Sequence, residues 1–508
     1  MQTHIKVSFL GGVASDNITG SCYLLTILNG KKVINILIDM GLVQCSFQES
    51  ITVNKKILDK INPEKINHVI VTHPHIDHIG RLPLLVKNGF RGRIICTKAT
   101  SDLICYMLED SAKIQVAEAR YSSHKKQKGN NSSKKNSKDS LALGNYDRKI
   151  RKKEKGEKLI PLYTTKEAEK VGQFIKNEGY EYGLWHKLDH NLQFKFYASG
   201  HVMGGAIIVI KIQTEVGDKF LCFTGDLGRQ DGIILPPPEY VEEPINHLIT
   251  ESTYGGKIHP PRDVEIEKLQ RLITEAFRNK KKIIIPSFAL ERAQELIYLL
   301  SYYMDQKIIP NMPIFLDSPL AIKITSIFSE NWKQGMFSDQ DRLNFNPFDP
   351  NENPFFFAVT DLKESERLVK QRSSHIIIAG SGMCDAGRIR EYLRHNLGSP
   401  NTVVCLVGYM AKNSLGYKLK EKFSNVKMNH ETITVKAEIV SFDSFSAHAD
   451  GQFLFEYIVN TFNQHSHKNK NVYIVHGEKI HAEHLQKSLE ETGIKTHIPT
   501  LNKEYSIY

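Results

Sequence analysis

Apolar strands that end in polar residues dominate the first third of the chain. Stretches such as IKVSFLGG, SCYLLTIL and KKVINILIDMG are runs of apolar residues separated by short turns, which is typical of buried strands. Helical patterns, for example over residues 48–62, alternate with these strands. Strands interleaved with helices predict a layered α/β or α+β unit. The same style of strand returns from about residue 431.

The middle of the chain shows a different pattern, with longer helices between short strands. DVEIEKLQRLITEAFRNK fits an amphipathic helix, and it is followed by the strand KIIIPSF and the helix ERAQELIYLLSYYM. This alternation predicts a doubly wound α/β unit. Because the first style of strand returns afterwards, we predict that residues 256–430 are inserted into a unit formed by residues 1–255 and 431–508.

The composition predicts a folded protein. Of 508 residues, 41% are hydrophobic and 24% are charged, close to the averages of globular domains. No stretch has the length of a membrane span, and the first residues lack the pattern of a secretory leader, so we predict a soluble, cytoplasmic protein without a membrane partner. The seven cysteines are scattered singly and predict buried packing thiols rather than disulfides or a cysteine zinc site.

The formal net charge of +11 lies mostly in one segment, residues 122–158. The segment contains 11 Lys and two Arg against two Asp and two Glu, which leaves a net charge of +9. Its low apolar content predicts a mobile insertion. Two interpretations stay open: a solvated loop without a partner, and a polybasic arm that attracts nucleic-acid phosphates.

The most specific motif is VTHPHIDHIG, which directly follows a buried strand. His73 and His75 point to one side of an extended chain, and the turn at Pro74 brings Asp77 and His78 back toward the same region. Four imidazole and carboxylate donors within six residues, without a thiolate, suit two Zn²⁺ ions or a similar metal.

Six further polar residues each follow an apolar strand. Strand ends on one edge of a sheet converge in space, so these residues are predicted to lie near the motif. Alone, each would more often cap a strand or satisfy the core; together with the motif they predict one site. They are Asp39, His201, Asp226, Glu251, His448 and His476.

With these residues in place, the chain resembles the β-CASP family of the metallo-β-lactamase superfamily, and within it the RNA 3′-end cleavage endonuclease type and its bacterial and archaeal relatives. The motif at residues 73–78 is similar to the superfamily's metal signature, and Glu251, His448 and His476 match the motifs of the β-CASP branch. TGSCYLL, PSFALERAQEL, LDSPLA, AGSGMCDAGR and GYMAKNSLG add to the resemblance. It implies an αββα sandwich with an inserted doubly wound β-CASP domain.

The resemblance also implies roles for these residues. His73, His75 and His201 would hold one zinc ion, Asp77, His78 and His476 the other, and Asp226 would bridge them. Asp39 would orient ligands and a bridging water, and Asp77 would also belong to the catalytic set. His448, supported by Glu251, would protonate the departing 3′ oxygen. The implied activity is a zinc-dependent ribonuclease, endonucleolytic and also 5′-to-3′ exonucleolytic, that acts on single-stranded RNA.

Two strand-to-helix turns in the inserted unit are candidates for phosphate binding, because free backbone N–H groups collect there. The candidate contacts are Ser287, Arg292, Ser381 and Arg388. The alternative is that these are ordinary turns whose arginines form salt bridges. Two departures from the family, Glu291 and Tyr417, predict weaker phosphate binding near these turns.

Three other predictions concern function and partners. A small-molecule hydrolase of the same superfamily would lack the inserted unit and the set of Glu251, His448 and His476. A catalytically inactive RNA-binding scaffold would have lost ligands, whereas this chain retains all of them. We also predict that the protein forms a homodimer.

Overall fold

A computed structural model describes residues 3–14, 17–130, 160–175, 179–335, 337–338, 342–408, 410–412, 414–428, 431–463 and 470–507, without the side chains of residues 17 and 121–130. It contains two sheets that face each other and a third sheet whose strands are all parallel.

The first sheet has six strands in the order β21-β1-β2-β3-β4-β5. Every second side chain at the start of β1 is buried, which is the expected result of side-chain alternation along a strand with one covered face. β1 to β3 are antiparallel neighbours, whereas β3, β4 and β5 run parallel. The strands are β1 Thr3–Val13, β2 Asn17–Asn29, β3 Lys32–Ile38, β4 His68–Ile70, β5 Arg93–Ile95 and β21 Glu504–Ser506.

The second sheet has seven strands in the order β20-β19-β10-β9-β8-β7-β6. Its first half, from β20 to β9, is parallel, and the remainder is antiparallel. The strands are β6 His186–Asp189, β7 Leu192–Ala198, β8 Ala206–Thr214, β9 Gly217–Phe223, β10 His247–Thr250, β19 Asn471–Ile474 and β20 Lys495–His497.

The two sheets pack face to face, and helices cover both outer faces. Phe9 and Tyr23 of the first sheet share one buried cluster with Phe223 and Tyr473 of the second. This layering is the αββα sandwich that the resemblance implies. The helices over the first sheet are α1 Phe47–Lys55, α2 Ile76–Ile79, α3 Leu82–Lys87, α4 Lys98–Asn130 and α5 Thr165–Glu169. Short 3₁₀ turns lie at Lys56–Asp59, Pro63–Lys65 and Lys170–Phe174. The helices over the second sheet are α12 Gly451–Asn463 and α13 Lys479–Glu490.

The third sheet has the order β13-β12-β14-β11-β15-β18, and its central strands are buried on both faces. Helices on both sides confirm the predicted doubly wound unit. The strands are β11 Lys282–Pro286, β12 Ile314–Leu316, β13 Phe356–Ala358, β14 Ile376–Ala379, β15 Thr402–Val407 and β18 Glu438–Phe442, beside the hairpin β16 Asn425–Met428 and β17 Glu431–Thr434. The helices are α6 Arg262–Arg278, α7 Arg292–Asp305, α8 Pro319–Lys333, α9 Leu362–Lys370, α10 Ile389–Asn396 and α11 Leu415–Lys420.

The chain returns to the sandwich later than its sequence pattern suggests. β18 pairs in parallel with β15, so the inserted sheet gains its last strand after the predicted boundary at residue 430. Beyond β18, α12, β19 and β20 complete the second sheet and its cover, and β21 completes the first. The inserted unit is therefore enclosed by two parts of one sandwich.

The predicted basic insertion lies largely outside the described residues. Helix α4 continues to Asn130, so the structure assigns a helix to residues 122–130, whereas residues 131–159 are outside the description. All seven cysteines are free, and five are buried, as predicted; Cys45 is exposed and Cys105 is half-buried. None of the helices in the described ranges is both long and apolar enough to cross a membrane.

Candidate metal centre

The candidate ligands converge because several strands of the sandwich end at one edge. β3 and β4 run parallel in the first sheet, and β9, β10 and β19 run parallel in the second. Polar residues follow the carboxyl end of each of these strands, and those ends meet above the interface of the two sheets. His201 comes from the loop that joins β7 to β8 at the same edge.

Seven side chains form two groups of possible metal ligands. His73, His75, His201 and Asp226 each offer one atom, and these atoms lie within 4.8 Å of one another. Asp77, His78 and His476 form a second group by the same measure. The structure thus brings together every residue that was predicted to hold a metal.

Asp226 lies between the two groups. Its Oδ2 is 3.6 Å from His73 Nε2 and 3.7 Å from His201 Nε2. Its Oδ1 is 3.4 Å from His78 Nε2, and His476 Nε2 is 3.6 Å from Oδ2. One carboxylate therefore faces imidazoles of both groups, as a bridging ligand must.

Burial keeps three of the imidazoles in the neutral form that binds a metal. Burial lowers the pKa of His73, His75 and His201, that of His75 to about 4, so each presents a neutral ring with a free lone pair at neutral pH. Burial alone would lower the pKa of His78 too, but the carboxylates of Asp226 and Asp39 have the larger effect and raise that pKa.

Buried atoms without hydrogen bonds give an independent test of whether a cation fits. Among the described residues, His78 Nε2 and Asp226 Oδ1 are buried and make no hydrogen bond. Buried polar atoms are nearly always paired, because an unpaired one loses its hydration without compensation. Imidazole and carboxylate donors without a thiolate match the preferences of Zn²⁺, so the donor set fits this ion.

Asp39 fixes the ring of His78. Its Oδ2 accepts a hydrogen bond from His78 Nδ1 at 2.7 Å, and its two oxygens accept from the backbone N–H and hydroxyl of Thr72, both at 2.8 Å. Asp39 has a φ of 59° and His476 a φ of 47°, a region that non-glycine residues rarely adopt. Such backbone geometry at a strand end turns the side chain toward the site.

Two neighbours of this cluster belong to the site although sequence reasoning gave them no role there. Ser21 Oγ lies 3.1 Å from His476 Nδ1 and can fix that ring. Gly41 packs so closely on the segment of the metal motif that an added Cβ would lie 1.6 Å from the carbonyl oxygen of Asp77. The glycine at position 41, two residues after Asp39, is the trace that this contact leaves in the sequence.

His448 and Glu251 form a pair beside the metal groups. His448 Nδ1 lies 3.2 and 3.3 Å from the two carboxylate oxygens of Glu251, which is 1% exposed. Glu251 also accepts hydrogen bonds from the backbone N–H groups of Leu227 and Thr253. Burial opposes a charge on His448, but Glu251 outweighs it and raises its pKa to about 9. The ring is therefore protonated at neutral pH.

The position of His448 suits a proton donor next to the metal groups. Its Nδ1 is 4.0 Å from Asp226 Oδ2, and its ring centroid is 4.4 Å from that of His201. Its side chain keeps 22% of its surface exposed, whereas Asp226 keeps 3%. Asp226, Glu251 and His448 also form a third group within 4.8 Å, so the pair and the metal groups are contiguous.

The four predicted phosphate contacts lie in the inserted unit and already have partners. Arg292 is buried in an ion pair with Glu295, and Arg388 forms an ion pair with Asp317 and reaches the carbonyl of Val359. The hydroxyls of Ser287 and Ser381 bond to the backbone of their own turns, at Phe288 and Ala386. These contacts match the alternative of salt-bridged arginines in ordinary turns.

Glu291 does not present a negative charge to those turns. It is buried, and its Oε2 accepts a hydrogen bond of 2.9 Å from the backbone N–H of Met203, two residues after His201. Burial raises the pKa of Glu291 well above its usual range, so the side chain is held neutral. The departure from the family thus links the inserted unit to the loop of a candidate ligand.

Comparisons with known proteins match this chain to three family models and several relatives. The models are the metallo-β-lactamase superfamily (residues 17–103), the β-CASP domain (293–419) and the Zn-dependent metallo-hydrolase RNA specificity domain (432–499). Ribonuclease TTHA0252 of Thermus thermophilus is 28% identical over 92% of each chain. In Methanocaldococcus jannaschii, an RNase J-like protein is 26% identical over 87% of this chain and 89% of its own, and the transcription termination factor FttA 26% over 94% and 67%.

Proposed function

We propose, because the chain belongs to the β-CASP family of metallo-β-lactamase-fold proteins, that it hydrolyses phosphodiester bonds of RNA. The observation that carries the proposal is the position of Asp226, which faces both groups of ligands and lies beside the pair of His448 and Glu251. Metal-assisted hydrolysis needs both elements next to each other.

The seven ligands would divide between two zinc ions as the resemblance implies, with Asp226 shared. Zinc bound there would lower the pKa of a water molecule and stabilise negative charge on the scissile phosphate. Asp39 holds the ring of His78 in one orientation, and burial keeps the imidazoles of His73, His75 and His201 neutral as ligands. The side chain of Asp77 keeps 19% of its surface exposed, against 7% for His476, so Asp77 would be the member of its group most open to substrate.

His448 would supply the proton that the departing 3′ oxygen needs. Glu251 keeps the ring protonated, and two backbone N–H groups hold the Glu251 carboxylate in place. The proton would pass from the imidazolium to the 3′ oxygen as its bond to phosphorus breaks, which leaves a 3′-hydroxyl and a 5′-phosphate. The ring would then recover a proton from solvent, to which its side chain is partly open.

RNA is the proposed substrate for two reasons. The model that matches residues 432–499, the part of the chain that carries His448 and His476, describes an RNA specificity domain. Relatives over most of the chain are named a ribonuclease and an RNase J-like protein. A small-molecule hydrolase is the weaker alternative, because a hydrolase of that kind would lack the inserted unit that this chain contains. The homodimer and the cytoplasmic location stay predictions.

The test combines a cleavage assay with metal analysis. Endonucleolytic cleavage should shorten single-stranded RNA labelled at either end to fragments of intermediate length, and the 5′-labelled fragments should end in a 3′-hydroxyl. Exonucleolytic cleavage from the 5′ end should release a labelled mononucleotide from the 5′-labelled RNA. About two zinc ions per chain should accompany the active protein. Zinc-loaded protein that leaves both RNAs intact would refute the proposal and favour the inactive scaffold.

A further inference from the structure

We propose that His259 is a positioning residue, whose ring holds the backbone of His448 so that the proton donor stays aligned with Glu251. The inference rests on the proposed function, in which His448 protonates the departing oxygen. His259 lies between β10 and α6, eight positions after Glu251, in a segment to which sequence reasoning gave no role.

The contact between the two histidines has only one possible direction. His259 Nε2 lies 3.1 Å from the carbonyl oxygen of His448. A carbonyl oxygen can only accept a hydrogen bond, so the proton of His259 must be on Nε2. Burial lowers the pKa of His259 to about 4, with Arg229 acting in the same direction, so the ring is neutral at pH 7 and does not compete with His448 as an acid.

Two further contacts hold His259 in place. Its backbone N–H donates to Asp450 Oδ2 at 3.1 Å, and its ring packs edge-on against Tyr254, with centroids 4.6 Å apart. Nearby, the N–H of Gly451 donates to the carbonyl of Lys257 at 2.7 Å. The segment after Glu251 is therefore joined to the segment of His448 by several bonds, and His259 is the side chain that reaches the His448 peptide.

The opposite side of His448 is fixed by the segment of Asp226. A β-bridge pairs Gly228 with His448, and the N–H of Ala449 donates to the carbonyl of Leu227 at 2.8 Å. His448 thus lies between the strand end that supplies the shared carboxylate and the one that supplies Glu251. The N–H of His448 donates to Ser446 Oγ at 3.3 Å within its own segment, so His259 is the contact described here that ties the His448 peptide to the segment after Glu251.

The distances explain why this second attachment matters. The contacts from His448 Nδ1 to Glu251 are 3.2 and 3.3 Å, longer than the 2.7 to 2.9 Å of typical charge-assisted hydrogen bonds. A small displacement of His448 would lengthen them further and lower the fraction of rings that are aligned with Glu251. The expected result is a slower chemical step with little change in substrate binding or zinc content.

The experiment compares His259→Ala with His259→Gln in the full-length zinc-loaded protein. The Gln amide N–H₂ can reach the place of Nε2 and donate to the same carbonyl, whereas Ala cannot. We expect His259→Ala to lower single-turnover RNA cleavage about 10- to 100-fold, part of the 10²- to 10⁴-fold that general acids contribute, with KM changed less than about two-fold. His259→Gln should return to within about five-fold of wild type.

Two further measurements separate positioning from general damage. The His259→Ala variant should lose far less activity on an aryl phosphodiester than on RNA, because the acidic phenol of the aryl ester leaves without a proton. In the His448→Ala background, adding His259→Ala should cause no further loss on RNA, because the residue through which it acts is gone. An equal loss on both substrates, an additive double variant, or no rescue by Gln would each overturn the inference.

The same variants distinguish this failure from that of the proposed function. If His448→Ala keeps wild-type cleavage, the proposed role of His448 is wrong whatever His259 does. If His448→Ala loses cleavage and His259→Ala does not, only the present inference falls. Zinc content and a thermal melt of each variant exclude simple misfolding as the cause of a loss.

Discussion

Asp226 and Asp317 are both buried aspartates at the carboxyl ends of parallel strands, 3% and 0% exposed, yet their surroundings differ. Asp317, after β12 in the inserted unit, accepts hydrogen bonds from Ser365 Oγ at 2.5 Å and Tyr392 Oη at 2.6 Å and is paired with Arg388. Asp226, in the sandwich, lies 3.4 to 3.7 Å from imidazoles of both ligand groups, and among the described residues its Oδ1 makes no hydrogen bond.

The difference teaches how to separate a ligand site from a structural ion pair. Around Asp317 the chain itself supplies the positive charge and the donors, so nothing is missing. Around Asp226 the neutral rings of His73 and His201 offer lone pairs, and among the described residues Oδ1 makes no hydrogen bond, so a cation would complete the group. A strand end that is polar in sequence is compatible with either arrangement.

The largest effect should come from exchanging the two carboxylates for amides. Asp226→Asn should lower zinc at both positions and reduce RNA cleavage at least about 10³-fold, because it removes the shared negative ligand and with it several kcal/mol of transition-state stabilisation. Asp317→Asn is the matched control and should keep its zinc. Elemental analysis and cleavage rates check both; full zinc in Asp226→Asn would contradict the bridging role.

The next largest effect separates two histidines of the site from each other. His448→Ala should lose about 10²- to 10⁴-fold in cleavage while zinc and RNA binding stay near wild type, as expected for a general acid. His476→Ala should instead lose zinc. His190→Ala, at an exposed position, serves as control. Equal losses of activity with full zinc in both variants would show that the division of roles is wrong.

The ion pair of the inserted unit should influence stability rather than chemistry. Arg388→Ala leaves Asp317 buried and unpaired, so we expect a loss of about 3–5 kcal/mol in the free energy of unfolding, with zinc content unchanged. Replacing both partners by uncharged residues should cost less than removing Arg388 alone. Denaturant titration measures this. Unchanged stability together with much weaker RNA binding would return Arg388 to the predicted phosphate contacts.

The smallest effect concerns the basic segment. Deleting residues 122–158 should leave zinc content and the saturated cleavage rate almost unchanged, because all seven candidate ligands lie outside this segment. If it contacts RNA, the deletion should flatten the salt dependence of binding by about 0.7 in log K against log salt for each phosphate released. A variant of the same length with its Lys and Arg replaced by Gln is the matched control. An unchanged slope would identify a solvated loop.

The sequence predicted the ligands because their signal is local. Each follows an apolar strand, and most of these strands run parallel to a neighbour, so their ends meet at one edge. His201 follows the antiparallel strand β7 and reaches the same edge. The contacts of Ser21 and His259 depend on chain segments far apart in sequence, and no local pattern records them. Glu291 was misread for the same reason, since its φ of 70° and its burial against Met203 are tertiary features.

The predicted boundary at residue 430 precedes β18, although β18 pairs in the inserted sheet, because the strands of the two units have similar sequence patterns. β18 has the apolar run and polar ending that mark strands of the sandwich, but it pairs with β15 of the inserted sheet. The hairpin of β16 and β17 precedes it and interrupts the alternation of strands and helices on which the prediction relied. Local pattern predicts that a strand forms, whereas pairing decides which sheet receives it.

The pairing of β1 with β21 has a consequence for the order of events during protein synthesis. Val7 lies opposite Tyr505. His73 shares its group of candidate ligands with His201 and Asp226, and the second group is complete only when His476 is present. A ribosome-bound chain that has not reached residue 476 lacks both this ligand and the last strand of the first sheet. Contacts so far apart in sequence form late in folding. Until residue 476 has been synthesised, the chain would therefore lack one of its candidate metal ligands and with it the proposed activity.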